Sequence, residues 1–322
     1  MTLLLTCVTP RFTVQASDRR LTHSDGTLHE ELSNKATLWS YFGSFAYTGL
    51  ARCSRSESTD EMLTRALSQS FDSPDTAMKN LAAEATRTIG RVRLQGLSPY
   101  ADRVARRTSF VGCGFTGLHN PAAVGRSTAV DNLHPFLAVV SNAQTLAKGW
   151  RPQADPQFGV HAAFLPEDEP FLFHDAGQTV PTVIRNNLMR MIRVCLRRSV
   201  HAEAVARLLA RAIREVSRTN SRVGPNVMCT FVHREEVKVA STFRFSSGPV
   251  PLIKEMMAES SYFERLKDSG PPRYIYSPGE PDALVHYGPN FASSDVQMKG
   301  LMFGPSNLVP TPANPPSGSP TS

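Results

Sequence analysis

The sequence predicts an α+β fold, a four-layer αββα sandwich of two antiparallel sheets with helices on the outer faces. Two observations predict it. Strand-like and helix-like segments come in runs: four strands, two helices, four strands, two helices, two strands. Cap and turn residues separate those runs at the positions each type requires.

Residues 2–8 and 11–17 are rich in β-formers and split by the Thr9-Pro10 turn, and 36–39 and 44–48 give two more strands around the Gly43 break. Ser58 with Glu61 three residues on makes a capping box for a helix over 59–70. Ser73-Pro74 supplies an N-cap and a first-turn proline for a second helix ending near Arg91. Strands return at 108–115, 135–141, 160–165 and 170–174, with a Pro/Gly/Asn-rich loop over 118–133. Helices over 180–197 and 202–218 come next, and 226–233 with 237–245 closes the set as a strand pair. The expected domain covers 1–245. Residues 246–303 form an extension of unassigned role with one helix over 252–266, and the Pro/Ser-rich end, 304–322, is expected to be disordered.

At 322 residues the chain can bury a substantial core. No stretch approaches the roughly 20 apolar residues of a membrane span, and Leu3 to Leu5 is too short and lacks the basic lead of a secretory signal. A cytoplasmic protein without a membrane partner is expected. Five cysteines without a CxxC pair point to reduced, mostly buried thiols rather than a disulfide framework or a zinc site. His161, His174 and His201 lack ligand spacing, so no metal is expected. No Gly-rich phosphate loop or GxSxG elbow is present, so no cofactor is implied.

The net charge of +7 is concentrated between Arg185 and Arg222. Arg190, Arg193 and Arg197, then Arg207, Arg211, Arg214 and Arg218, recur every three or four residues opposite Val205, Leu209, Ile213 and Val216. That is the pattern of amphipathic helices with a solvated basic face. No aromatic residues interleave the arginines, which argues against nucleic acid and leaves an acidic partner subunit open.

Thr2 directly follows Met1. A residue this small allows the methionine to be clipped, which would leave a hydroxyl and a free α-amino group on one residue, a nucleophile together with its base. Thr after Met is common, and residues further along the chain are more specific. Asp18-Arg19-Arg20-Leu21-Thr22 resembles the acidic-Arg-Arg-x-Thr signature of proteasome β-type subunits, members of the N-terminal nucleophile hydrolases. Lys35 comes after it, and Tyr47-Thr48-Gly49-Leu50-Ala51 resembles that family's strand ending in an oxyanion-hole glycine. The resemblance covers about residues 2–245.

The resemblance implies a threonine hydrolase of peptide bonds without a cofactor, acting on a peptide or protein substrate within a ring-shaped homo-oligomer. Thr2 would be the nucleophile and its amine the proton acceptor. Lys35 would favour the developing alkoxide, and Asp18 would hold Lys35. The Gly49 N–H would face the oxyanion, a donor typically contributing about 3 kcal/mol. Leu21, Tyr47 and Ala51 would line the substrate pocket, with the Tyr47 ring favouring smaller side chains. Arg20, Gln178, Thr179, Asn220 and Ser221 would support the site. In the turn Asn220-Ser221-Arg222-Val223-Gly224-Pro225, Asn220 replaces the family's acid and Val223 a hydroxyl. Those replacements favour the competing reading, a catalytically silent proteasome-like subunit acting in assembly or binding.

Overall fold

The computed structural model describes residues 2–23, 27–30, 33–39, 43–54, 57–69, 73–117, 133–198, 201–235 and 241–246, with short pieces at 274–275, 286–287, 289–292, 297–298 and 302–303. The strands are β1 (Leu3–Val8), β2 (Phe12–Asp18), β3 (Leu21–Thr22), β4 (Leu28–Glu30), β5 (Ala36–Trp39) and β6 (Gly43–Thr48). Helices α1 (Thr59–Ser68), α2 (Pro74–Thr88) and α3 (Pro99–Ala105) come next, then β7 (Ser109–Gly117), β8 (Leu133–Ser141), β9 (Gly159–Phe164) and β10 (Leu172–Gly177). After α4 (Thr182–Arg197) and α5 (Ala202–Ser217) come β11 (Val227–His233) and β12 (Ser241–Ser246). The later pieces are β13 (Tyr274–Ile275), β14 (His286–Tyr287), β15 (Asn290–Ala292), β16 (Gln297–Met298) and β17 (Met302–Phe303).

The chain is thus mixed α and β, and its main strands make two sheets. One has the order β10-β1-β2-β11-β12-β13, the other β16-β15-β5-β6-β7-β8-β9. The first strand lies inside its sheet, pairing antiparallel with β10 through Leu3↔Gly177 and with β2 through Leu4↔Ser17.

Residue alternation explains why β1 and β2 are buried on both faces. Leu3, Leu5, Phe12, Val14 and Ala16 join Val205, Leu209, Ile213 and Val216 of α5 in one apolar cluster. Leu4 and Val8 instead join Leu38, Ala46, Val111 and Val139 of the other sheet. On that sheet's opposite side Trp39, Phe45, Tyr47 and Phe110 pack with Met62 and Leu63 of α1 and Leu81 of α2. Two polar contacts cross between the sheets: Ser44 Oγ lies 2.6 Å from Thr230 Oγ1, and Gln15 Nε2 donates to the Val111 carbonyl at 2.9 Å. Buried polar atoms left unpaired would be costly there.

Local signals act as the sequence predicts. The Glu61 carboxylate accepts the Ser58 N–H at 2.8 Å, and Ser73 Oγ accepts the Thr76 N–H at 3.1 Å. The arginine side of α5 is solvated at Arg211 and Arg218, whereas Val205, Leu209, Ile213 and Val216 are buried. None of the five cysteines is in a disulfide, and four of them are buried. Among the described residues no helix is long and apolar enough to cross a membrane.

Three differences stand out. Helix α3 is absent from the predicted elements, although Ser98 Oγ caps it through the Ala101 N–H at 3.3 Å. Strand β10 runs on to Gly177 rather than ending at His174. The prediction of two antiparallel sheets holds for the pairs from β1 to β12, but β15 adds to β5 in parallel and β13 to β12 in parallel. Apart from Leu133, which opens β8, the predicted loop over 118–133 lies outside the described residues. So do Met1, the predicted helix over 252–266, residues 237–240 of the predicted last strand and the predicted disordered end from 304.

Ile213 is fully buried between α5 and the sheet. Ile213→Ala should lower the unfolding free energy by about 2–5 kcal/mol in urea titration. A loss well below that range would mean this helix is not docked on the sheet.

Candidate functional site

The site forms where the ends of β1, β2 and β10 meet the segments leading into and out of the β5–β6 hairpin. The peptide unit joining Thr2 to Leu3 is held at both ends. Its oxygen, the Thr2 carbonyl, accepts from Thr48 Oγ1 at 3.0 Å and from the Gln178 N–H at 3.0 Å. Its N–H, on Leu3, donates to Asp18 Oδ2 at 2.6 Å. Thr2 itself is 3% exposed.

Asp18 gathers the remaining contacts. Its Oδ1 accepts the Arg20 N–H at 3.0 Å, the Gly224 N–H at 3.2 Å and Lys35 Nζ at 3.3 Å. Lys35 Nζ also donates to the Arg20 carbonyl at 2.5 Å. Both members of the Asp18–Lys35 ion pair are fully buried. Burial pushes the Lys35 ammonium below its ordinary pKa, and the Asp18 carboxylate opposes that shift.

Two glycines are dictated by close approach. Gly177 has φ +89°, and a Cβ there would lie 1.8 Å from the Thr2 carbonyl oxygen and 2.5 Å from Thr48 Oγ1. Gly49 has φ +118°, and its Cβ would lie 2.3 Å from the Arg107 carbonyl. Neither position can carry a side chain without moving backbone.

The residues expected to support the site are mostly brought together. Asn220 Nδ2 donates to Gln178 Oε1 at 3.0 Å, and Arg20 Nη1 donates to the Ser221 carbonyl at 2.6 Å. Thr179 is exposed, one residue beyond Gln178. Val223, where the resemblance leads one to expect a hydroxyl, is fully buried in the apolar cluster under α5. The turn therefore anchors itself through a core residue and reaches Asp18 through the next backbone N–H.

Leu21, Tyr47 and Ala51 line one cavity of about 600 Å³ together with Glu30, Asp60 and Asn290. That volume falls in the ~300–1,000 Å³ typical of ligand pockets. Tyr47 is 1% exposed, its ring tilted against Phe110 with centroids 6.5 Å apart. Burial, then the nearby Asp60 carboxylate, pushes its phenol well above the ordinary value.

Sequence reasoning missed Thr48, Gly177, Gly224 and Asn290. Thr48 and Gly224 sit inside segments already singled out and Gly177 directly precedes Gln178, so their proximity to Thr2 and Asp18 was the missing element. Asn290 carries no sequence signal. It is 1% exposed on β15, accepts from Asn34 Nδ2 at 2.7 Å, and donates to Asp60 Oδ2 at 3.2 Å and Thr64 Oγ1 at 2.9 Å. One side chain thereby ties the segment before Lys35 to helix α1. Among the described residues no cluster of His, Cys, Asp or Glu could hold a metal ion.

No family model matches this chain, and no curated protein does. Among solved structures, a mutant of Anbu from Hyphomicrobium sp. strain MC1 aligns at 14% identity with a TM-score of 0.45, over 84% of this chain and 96% of that one.

This geometry has two measurable consequences. Between the lowered pKa of Lys35 and its ordinary 10.5, the folded chain binds fewer protons than the unfolded one, so this group makes stability rise with pH across that window. Denaturant titrations at matched pH should show a steeper rise in the wild type than in Lys35→Met; equal slopes would refute a buried, titrating Lys35. Asn290→Ala strips partners from Asn34, Asp60 and Thr64 and should cost about 1–3 kcal/mol. An unchanged unfolding midpoint would mean that β15 does not dock.

Proposed function

We propose that the chain is a proteasome-like N-terminal threonine hydrolase that cleaves peptide bonds, built over residues 1–245 as a four-layer αββα sandwich. Residues 246–303 extend that domain, with 290–292 returning to its second sheet. The observation that carries the reading is the shared carboxylate of Asp18, which receives both the Leu3 N–H and the Lys35 ammonium. A fixed residue 2 and a buried cation are thereby held by one group.

The chemistry requires a free α-amino group on Thr2, and hence removal of Met1. That amine takes the proton of the Thr2 hydroxyl as Oγ attacks the scissile carbonyl carbon. The Lys35 charge stabilises the developing alkoxide, and the Gly49 N–H faces the oxyanion. The tetrahedral intermediate collapses to a threonyl ester, the leaving amine taking the proton from the Thr2 ammonium. Water, activated by the same amine, then hydrolyses the ester and regenerates the hydroxyl. The peptide side chain before the cleaved bond would occupy the cavity bordered by Leu21, Tyr47 and Ala51. A homo-oligomer, ring-shaped by resemblance, completes the proposal.

One observation favours the catalytically silent alternative. Where the resemblance calls for an acid, the Asn220 amide is engaged by Gln178, so no carboxylate stands at that position to orient the Thr2 amine. Intact-mass measurement after incubation with a threonine-directed β-lactone or peptide epoxyketone separates the two. A chain beginning at Thr2 should gain one inhibitor mass, and Thr2→Ala should gain none. A wild-type chain beginning at Thr2 that stays unlabelled would overturn the hydrolase and leave the binding subunit.

A further inference from the structure

The border that Leu21, Tyr47 and Ala51 give their cavity is joined by two carboxylates. Leu21 and Glu30 are paired across the β3–β4 hairpin. Side chains opposite one another in an antiparallel pair share a face, which is why both line the cavity. Glu30 is exposed and makes no ion pair among the described residues. Helix α1 adds Asp60 from its first turn. Asp60 is 9% exposed, and the donor on its Oδ2 is the neutral Asn290 amide, at 3.2 Å. An amide satisfies a lone pair without cancelling a charge. Arg52 stands against them and already has a partner, so the lining carries two carboxylates to one guanidinium.

The two acidic groups act on the same space. Tyr47 lines the cavity at 1% exposure, and its hydroxyl makes no hydrogen bond among the described residues. Burial, then the Asp60 and Glu30 carboxylates, pushes that phenol well above its ordinary value. Burial lowers the Lys35 ammonium, and Asp18 and then, more weakly, Glu30 oppose the shift. Glu30 is therefore within electrostatic reach of both Tyr47 and the Lys35–Asp18 pair. With the Tyr47 ring tilted against Phe110, about 600 Å³ remains, room for a long side chain.

We propose that this cavity selects a basic side chain, arginine or lysine, before the cleaved bond, with Glu30 meeting its charge and Asp60 attracting it at longer range. The inference rests on the hydrolase reading, which assigns the cavity to that side chain. The aliphatic stem would pack on Leu21, Tyr47 and Ala51 while the charged head stays at the exposed Glu30, the usual division of a long basic side chain. An acidic side chain would be repelled by both carboxylates.

Peptide epoxyketones identical but for the last residue, arginine, lysine, leucine, alanine or glutamate, are compared by their rates of labelling the full chain beginning at Thr2. The arginine or lysine form should label about tenfold faster than the leucine form, and the glutamate form should be slowest. Glu30→Gln, at an exposed position, should lower the ratio of basic to leucine rates about tenfold, the worth of one charge-assisted hydrogen bond, and Glu30→Lys should invert it. Labelling led by leucine or alanine, or a ratio unmoved in both variants, would overturn the selectivity and leave the hydrolase standing. Labelling by none of the five would overturn the hydrolase. The cavity is then read by calorimetric titration of Thr2→Ala with acetyl-arginine methylamide and with its norleucine counterpart. Tighter binding of the arginine compound, lost on adding Glu30→Gln, would support a pocket for basic side chains; equal binding of the two would overturn it.

Discussion

The carboxylate of Asp18 is the group on which the rest of the site depends. It is fully buried and accepts four donors, from Leu3, Arg20, Gly224 and Lys35. A charge removed from water is tolerable only when paired and hydrogen-bonded throughout, so each donor is a condition on where its chain segment can lie. Three of the four are backbone N–H groups that no ordinary side-chain substitution removes. The fourth, Lys35, would itself be an uncompensated buried cation without Asp18. Sheet pairing brings the strands together, and this carboxylate fixes how their ends meet.

The 220–225 turn is held by its core residue and its backbone. Val223 fills the core beneath α5, and Gly224, whose Cβ would lie 2.7 Å from Arg20 Cβ, presents its N–H to Asp18. Asn220 turns instead to Gln178, whose own N–H supports the Thr2 carbonyl. The turn therefore still reaches residue 2, through amide contacts where a carboxylate and a hydroxyl were expected.

Much of the fold was legible in the sequence because its signals are local. Apolar and β-branched runs marked β1, β2, β5 and β6, and the Ser58/Glu61 and Ser73-Pro74 caps marked α1 and α2 at their true starts. Helix α3 begins with the same Ser-Pro signal at Ser98-Pro99, but its seven residues carry no apolar periodicity to accompany the cap. Thr2, Asp18, Lys35, Tyr47 and Gly49 were named through the resemblance, whose motifs lie within one stretch of chain. The partners that give them their environment, Thr48 for the Thr2 carbonyl, Gly224 for Asp18 and Asn290 for helix α1, were not. Their roles depend on contacts between segments as far as 256 residues apart, which no local pattern encodes.

Strand β15 covers the side of β5 that would otherwise be the open border of the second sheet. Until residue 290 has left the ribosome, β5 presents unpaired N–H and C=O groups, with Asp60 and Thr64 of α1 lacking their amide partner. Such a border is a template for pairing with another chain, and a contact so distant in sequence closes late because of its loop entropy. Biogenesis of this protein thus includes an interval in which every other strand of that sheet up to β9 is made yet the sheet remains open to association, and chaperone demand should be greatest there.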